Sequence, residues 1–217
     1  MEGDKLVIKD HHIKIAKEVA EVIIPEIKQS KTRYAITVAG ESGSGKSETA
    51  YTIKQELENN NIKCFIFQQD DYFVYPPKTN AKMREKDIKQ VGTSEVKLDV
   101  LDKNMKEAID GKNELTKPLV YFEEDKIEEE DANLEGIDVV IAEGTYTTSL
   151  SNAHKKIFID KNYFDTKKTR LERSREKQDE FLEKILNIEH KIISSHKQLA
   201  HLIITKDNEL KNQESYE

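Results

Sequence analysis

The sequence has 217 residues, 36% hydrophobic and 35% charged, with 35 Lys+Arg against 42 Asp+Glu and a net charge of −7. That length permits one well-buried core with a small appended lid, and the mildly acidic balance argues against a general nucleic-acid binder, whose footprint is a basic stripe. With no apolar run near 18 residues, no signal-peptide pattern and a single cysteine in an apolar run (Cys64), neither a membrane span, secretion nor an internal disulfide is expected, and a cytoplasmic home is.

Residues 5–9 read as a short strand. From His11 to Gln29, Ile13, Ala16, Val19, Ala20, Ile23, Ile24 and Ile27 recur at helical spacing, so an amphipathic helix is expected, kinked or restarted at Pro25. His11 and His12 are adjacent and point in different directions on a helix. Metal-binding pairs want i, i+4 spacing, so a solvated surface pair is expected here.

Tyr34-Ala-Ile-Thr-Val-Ala39 is a nearly unbroken apolar run of strand length. Gly40-Glu-Ser-Gly-Ser-Gly-Lys-Ser47 follows it and fits G-x-x-x-x-G-K-[ST], the phosphate-binding P-loop. Gly40, Gly43 and Gly45 free the backbone to aim successive N–H groups at one anion. Lys46 supplies a mobile positive charge for the β/γ-phosphates, and the Ser47 hydroxyl suits a Mg²⁺ shared with the nucleotide. From Glu48 to Glu58 a helix is predicted, whose N-terminus favours negative charge. Strand, glycine loop and helix are the context that the motif requires. The loop as a whole, Gly40, Ser42, Gly43, Ser44, Gly45, Lys46, Ser47 and Glu48, is the expected nucleotide cradle.

Ile62 to Phe67 reads as a second buried strand, running into Gln68-Gln-Asp-Asp-Tyr-Phe73. Side chains at a strand end diverge, so one of Asp70 and Asp71 is expected to face the phosphates and activate an acceptor hydroxyl. The polar stretch after Tyr75 suits a substrate-binding excursion. Leu98 to Asp110 reads as a helix stopped by Gly111, Glu114 to Phe122 as an extended segment, and the acidic run Glu123–Asp131 as a solvated hairpin tip. Asp138 to Gly144 and Lys156 to Asp160 are further strands. Glu143 ends its strand as an acid placed to hold Mg²⁺ through water. A helical region spans about Thr166 to Leu199, with Arg170, Arg173, Arg175 and Lys177 near its start, where Arg at i and i+3 share a face able to close on a triphosphate. His201 to Thr205 is a last strand, and the polar tail 206–217 is expected to fray.

Strands alternating with helices predict an α/β fold with a mainly parallel sheet and a ligand site beyond the carboxyl ends of its strands. The P-loop, Asp70/Asp71 and Glu143 all fall at such ends.

These residues resemble the uridine kinase/phosphoribulokinase group of P-loop small-molecule kinases over residues 33 to 205. The P-loop with its inner Ser-Gly-Ser is similar to theirs. Asp70-Asp71-Tyr72-Phe73 resembles their Asp-x-Phe-Tyr element with the aromatic pair swapped. Pro118 to Tyr121, Val139 to Gly144 and Thr169-Arg-Leu-Glu-Arg173 are similar to their Pro-x-Tyr strand, acid-glycine strand end and lid. The resemblance implies a three-layer P-loop sandwich with a five-stranded, mainly parallel sheet, as a single kinase domain over 1–217. An extra N-terminal helix (1–30) and a helical lid (166–180) complete it. It further implies ATP and Mg²⁺ as cofactors, Asp70 as catalytic base with Lys46, Arg170 and Arg173, metal contacts at Ser47 and Glu143, and acceptor contacts at Asp70, Tyr72, Phe73 and Tyr121. The partner is a small-molecule hydroxyl acceptor, without nucleic acid or membrane; a homo-oligomer is compatible.

The sequence also departs from that group. Its usual Phe-Asp-His-Pro stretch is missing, with Val91–Asp99 in that region, and Ser174 and Gln178 replace an expected Arg and Asp. Uridine specificity therefore does not carry over, and the acceptor stays open among nucleosides, sugars and vitamin precursors. A nucleotide-dependent switch or NTPase working with a protein partner, with Asp70 orienting water, is the alternative. A nucleotide-binding module without turnover is disfavoured by Lys46, Ser47 and Asp70, and the motifs of protein kinases are absent.

Overall fold

The computed structural model describes residues 6–173 and 179–215, the side chains of Arg173 and Ser215 excepted. In chain order the elements are α1 (Asp10–Gln29), β1 (Tyr34–Gly40), α2 (Lys46–Asn59), β2 (Cys64–Gln68), a 3₁₀ turn (Gln69–Tyr72), α3 (Pro77–Lys86), α4 (Leu98–Ile109), β3 (Glu114–Tyr121), β4 (Lys126–Asn133), β5 (Val139–Gly144), β6 (Lys155–Ile159), α5 (Lys167–Arg173), α6 (Glu180–His196), β7 (Leu202–Ile204) and β8 (Leu210–Asn212). The main sheet has the order β2-β5-β1-β6-β7-β8. Its first five strands are parallel, and β8 runs antiparallel to β7.

Alternation along the central strands builds the layers. Ile36 and Val38 of β1 join Val139 and Ile141 of β5 in a core under α1 and α2. Ala35 and Ala39, with Val140 and Ala142, face a second core that includes Leu101 and Met105 of α4. A strand buried on both faces reads as continuous apolar sequence, which is why β1 and β5 stand out so plainly. Between them the close register of β2, β5 and β1 pairs Gln68 with Glu143 and Glu143 with Val38, so three strand ends open at one level.

Several expectations are corrected. The sheet has six strands rather than five, because the tail does not simply fray: Leu210–Asn212 pairs with β7, and Leu210 packs against the core. Residues 6–9 carry no strand. The acidic run is mostly a strand rather than a tip, with β4 pairing β3 along its length. Its like charges are tolerated because most side chains are exposed and Lys117 faces Glu130 across the pair, 2.7 Å away. The helical region expected over 166–199 is carried by α5 and α6, and Asp179 accepts from the N–H groups of Phe181 and Leu182 to start α6. The polar stretch after Tyr75 forms α3 and two short 3₁₀ turns around a buried ion network described below.

Among the described residues no helix is long and apolar enough to cross a membrane.

Candidate active site

The phosphate loop joins β1 to α2. Gly43 and Gly45 have φ of +75° and +94°, where an L side chain is strained, and a Cβ on Gly43 would lie 2.9 Å from Cγ of Arg170. The Ser44 N–H bonds back to the Glu41 carbonyl at 3.1 Å, and Lys46 Nζ donates to the same carbonyl at 3.1 Å. Ser44 Oγ is buried without a partner among the described residues. Ser42 offers its carbonyl to Thr166 Oγ1 at 2.8 Å. Glu48, buried in the first turn of α2, accepts from the Val7 N–H at 3.4 Å and so ties the N-terminal segment to the loop.

Beside the loop stands the end of β5. Ser47 Oγ donates to Glu143 Oε1 at 3.1 Å. Burial first, then the charge of Asp70, pushes the Glu143 carboxyl up to about 7, with Lys46 and the Ser47 hydrogen bond pulling the other way. Gly144 cannot be replaced without disturbance, since a Cβ there would sit 2.2 Å from Cβ of Gln69. Gln69 in turn accepts from the Tyr146 N–H at 2.7 Å, locking the turn after β2 to the end of β5.

Asp70 and Asp71 diverge. Asp71 is buried, accepts from the Val120 N–H at 3.0 Å and sits 3.5 Å from Lys117, so it anchors the β3–β4 hairpin. Asp70 stays partly open, near enough to Glu143 to raise its pKa. Tyr72 is fully enclosed in the second core, and its hydroxyl has no partner among the described residues. Phe73 and Tyr121 are half-buried.

Arg170 is buried against the loop. Its Nη1 donates to the Tyr163 carbonyl at 2.7 Å and to Thr166 Oγ1 at 2.5 Å. The side chain of Arg173 lies outside the described residues, as do residues Ser174, Arg175, Lys177 and Gln178 entirely.

Sequence reasoning missed two contacts. His12 is buried behind Gly45 rather than solvated. The signal was there: His12, Ala16, Val19 and Ile23 follow one another at helical spacing on the buried face. Glu41 meets His190 of α6, with Oε1 2.6 Å from Nδ1, and no local pattern announces a pair 149 positions apart.

The residues fit a magnesium ion held chiefly by the nucleotide. Ser47 and Glu143 present hard oxygen donors beside the phosphate nest, and among the described residues no group of three His, Cys, Asp or Glu forms a protein cage.

The sequence model described as Phosphoribulokinase / Uridine kinase family matches residues 35–178. A bifunctional alpha-galactosidase/sucrose kinase from Mediterraneibacter gnavus is 25% identical over 198 residues, 85% of this chain; the chain spans about a fifth (21%) of that relative's length. A possible uridine kinase from Bacillus stearothermophilus shares the fold at a TM-score of 0.60 with 17% identity, over 82% of this chain and 94% of that one. A D-glycerate 3-kinase from Cryptococcus neoformans var. grubii does so at 0.60 with 12% identity, over 91% and 99%. The chain therefore belongs to the Phosphoribulokinase / Uridine kinase family.

Proposed function

We propose that this chain transfers the γ-phosphoryl group of ATP to a hydroxyl of a small metabolite. The observation that carries the reading is the meeting of three strand ends: the P-loop after β1, Glu143 at the end of β5 and Asp70 just past β2. One end binds phosphate, one supplies an oxygen donor beside Ser47, and one offers a carboxylate to an incoming alcohol.

In this reading Asp70 accepts the proton as the acceptor oxygen bonds to the γ-phosphorus and the bond to the bridging β–γ oxygen breaks, releasing ADP. Lys46 leaves the Glu41 carbonyl for the phosphates, and Arg170, held at the loop, offsets charge on the transferring group. Ser47 and Glu143 would hold a Mg²⁺ ion, which would neutralise phosphate charge. Phe73 and Tyr121 border the acceptor side.

The name of the curated relative includes sucrose kinase, so sugars head the acceptors to try, ahead of nucleosides, glycerate-like acids and vitamin precursors. The test is a coupled ADP-release screen over these classes with and without Mg²⁺. Acceptor-dependent, Mg²⁺-dependent ADP formation is expected. Hydrolysis indifferent to every acceptor would overturn the reading.

A further inference from the structure

Gly43, Ser44 and Gly45 of the P-loop also wall an open cavity of about 830 Å³. Segments far apart in sequence supply the rest of its wall: the start of α1 with His11 and His12, Glu48 of α2, the stretch after β6 into α5 with Lys161 and Glu172, and Lys206 and Asp207 after β7. Attacking and leaving oxygens lie roughly in line in phosphoryl transfer. Asp70 is not among the residues that line this cavity, so an acceptor at Asp70 leaves it free for the nucleoside half of the donor.

The two histidines divide the work as adjacent residues on a helix must, about 100° apart. His12 Nδ1 accepts the Lys9 N–H at 3.1 Å, which leaves the proton on Nε2. That Nε2 lies against the loop, 3.0 Å from where a Cβ on Gly45 would be. Burial, helped by His11, pushes the His12 pKa down to about 4, so the ring stays neutral beside the cradle. The His11 ring centre lies 4.1 Å from that of His12, tilted by 56°, and borders the cavity. Burial and then Lys161 hold His11 below its ordinary pKa. A neutral imidazole is a flat, polarisable surface of the kind on which a heteroaromatic base stacks, and Val7 adds an apolar group to the same cavity wall.

We propose that α1 is part of the nucleotide site: His12 backs the phosphate loop at Gly45, and His11 presents its ring to the nucleobase in the adjoining cavity. This rests on ATP being the phosphoryl donor at the P-loop. It makes the N-terminal helix a determinant of affinity for the nucleoside half of the donor.

The test is calorimetric titration of the full chain with MgATP and with magnesium tripolyphosphate, which keeps the phosphates and drops the nucleoside. Expected for His11→Ala is a loss of about tenfold in MgATP affinity with tripolyphosphate affinity unchanged. His11→Phe, which keeps a ring of similar bulk, is expected to retain most of the ATP affinity and serves as the folded comparison should His11→Ala melt early. Equal losses for both ligands, no loss for either, or failure of His11→Phe to rescue would overturn the proposal. In those outcomes Lys46-dependent binding of both ligands by the parent chain would leave the donor reading standing. A parent chain that binds neither ligand would overturn both.

Discussion

Asp70 and Asp71 are neighbours in sequence and have separate environments in the fold, one partly open beside Glu143 and the other buried under the β3–β4 hairpin. Asp70→Asn should keep MgATP affinity and lose on the order of 10²- to 10⁴-fold in turnover, the range of general-base catalysis; nucleotide titration and ADP release measured side by side check it. Lys46→Ala should damage both quantities, because its ammonium is the mobile charge of the cradle. Glu143 makes a pH prediction. Its carboxyl rises from 4.5 to about 7 on folding, so folding favours the neutral form. Its contribution is complete below about pH 4.5 and is lost as pH rises through about 7, on the order of 3 kcal/mol in all. The ligand-free chain should therefore lose melting temperature across that window, and Glu143→Gln should flatten the loss. An equal slope in both proteins would show that another group is responsible.

At the scale of elements, the polar stretch after β2 is ordered by one buried charge cluster. Arg84 of α3 reaches Glu95 through Nε at 2.6 Å and Nη2 at 2.9 Å, and Glu189 of α6 at 3.0 Å. Asn80 and the Gly92 N–H also donate to Glu95, each at 2.9 Å. Residues spread from 80 to 189 thereby fix α3, the turn before α4, and α6 as one unit. Removing Arg84 leaves the buried Glu95 carboxylate without its counter-charge, which costs far more than the intact network gains. Arg84→Ala should lower unfolding free energy by roughly 3–5 kcal/mol, read from urea denaturation; a loss below about 1 kcal/mol would mean that water reaches Glu95 readily. None of this was legible beforehand, since charged residues in a polar stretch read as solvated until a partner more than a hundred positions away is known.

At the scale of the molecule, strand order decides where the chemistry meets. β5 lies between β2 and β1, so the acid that closes a strand more than seventy positions after Asp70 comes back beside the P-loop. At the other edge β8 covers β7, and Lys206 and Asp207 between them border the cavity beside α1. Ending the chain after Thr205 should expose the β7 edge, lower the urea midpoint and weaken MgATP binding; an unchanged midpoint would show that β8 adds no stability.

Local chemistry alone determined the P-loop, the buried strands beside it, α1, α4 and the acids at the strand ends. Each rests on a short-range rule: glycines where backbone must face an anion, apolar runs where both faces are covered, helical spacing where one is. The tertiary structure decided which aspartate is open, that His12 lies behind the loop, and that Glu41 meets His190. It also showed that residues 210–212 close the sheet. Those outcomes depend on pairings across tens to more than a hundred residues, and a side chain's surroundings there are set by segments that the local sequence does not contain.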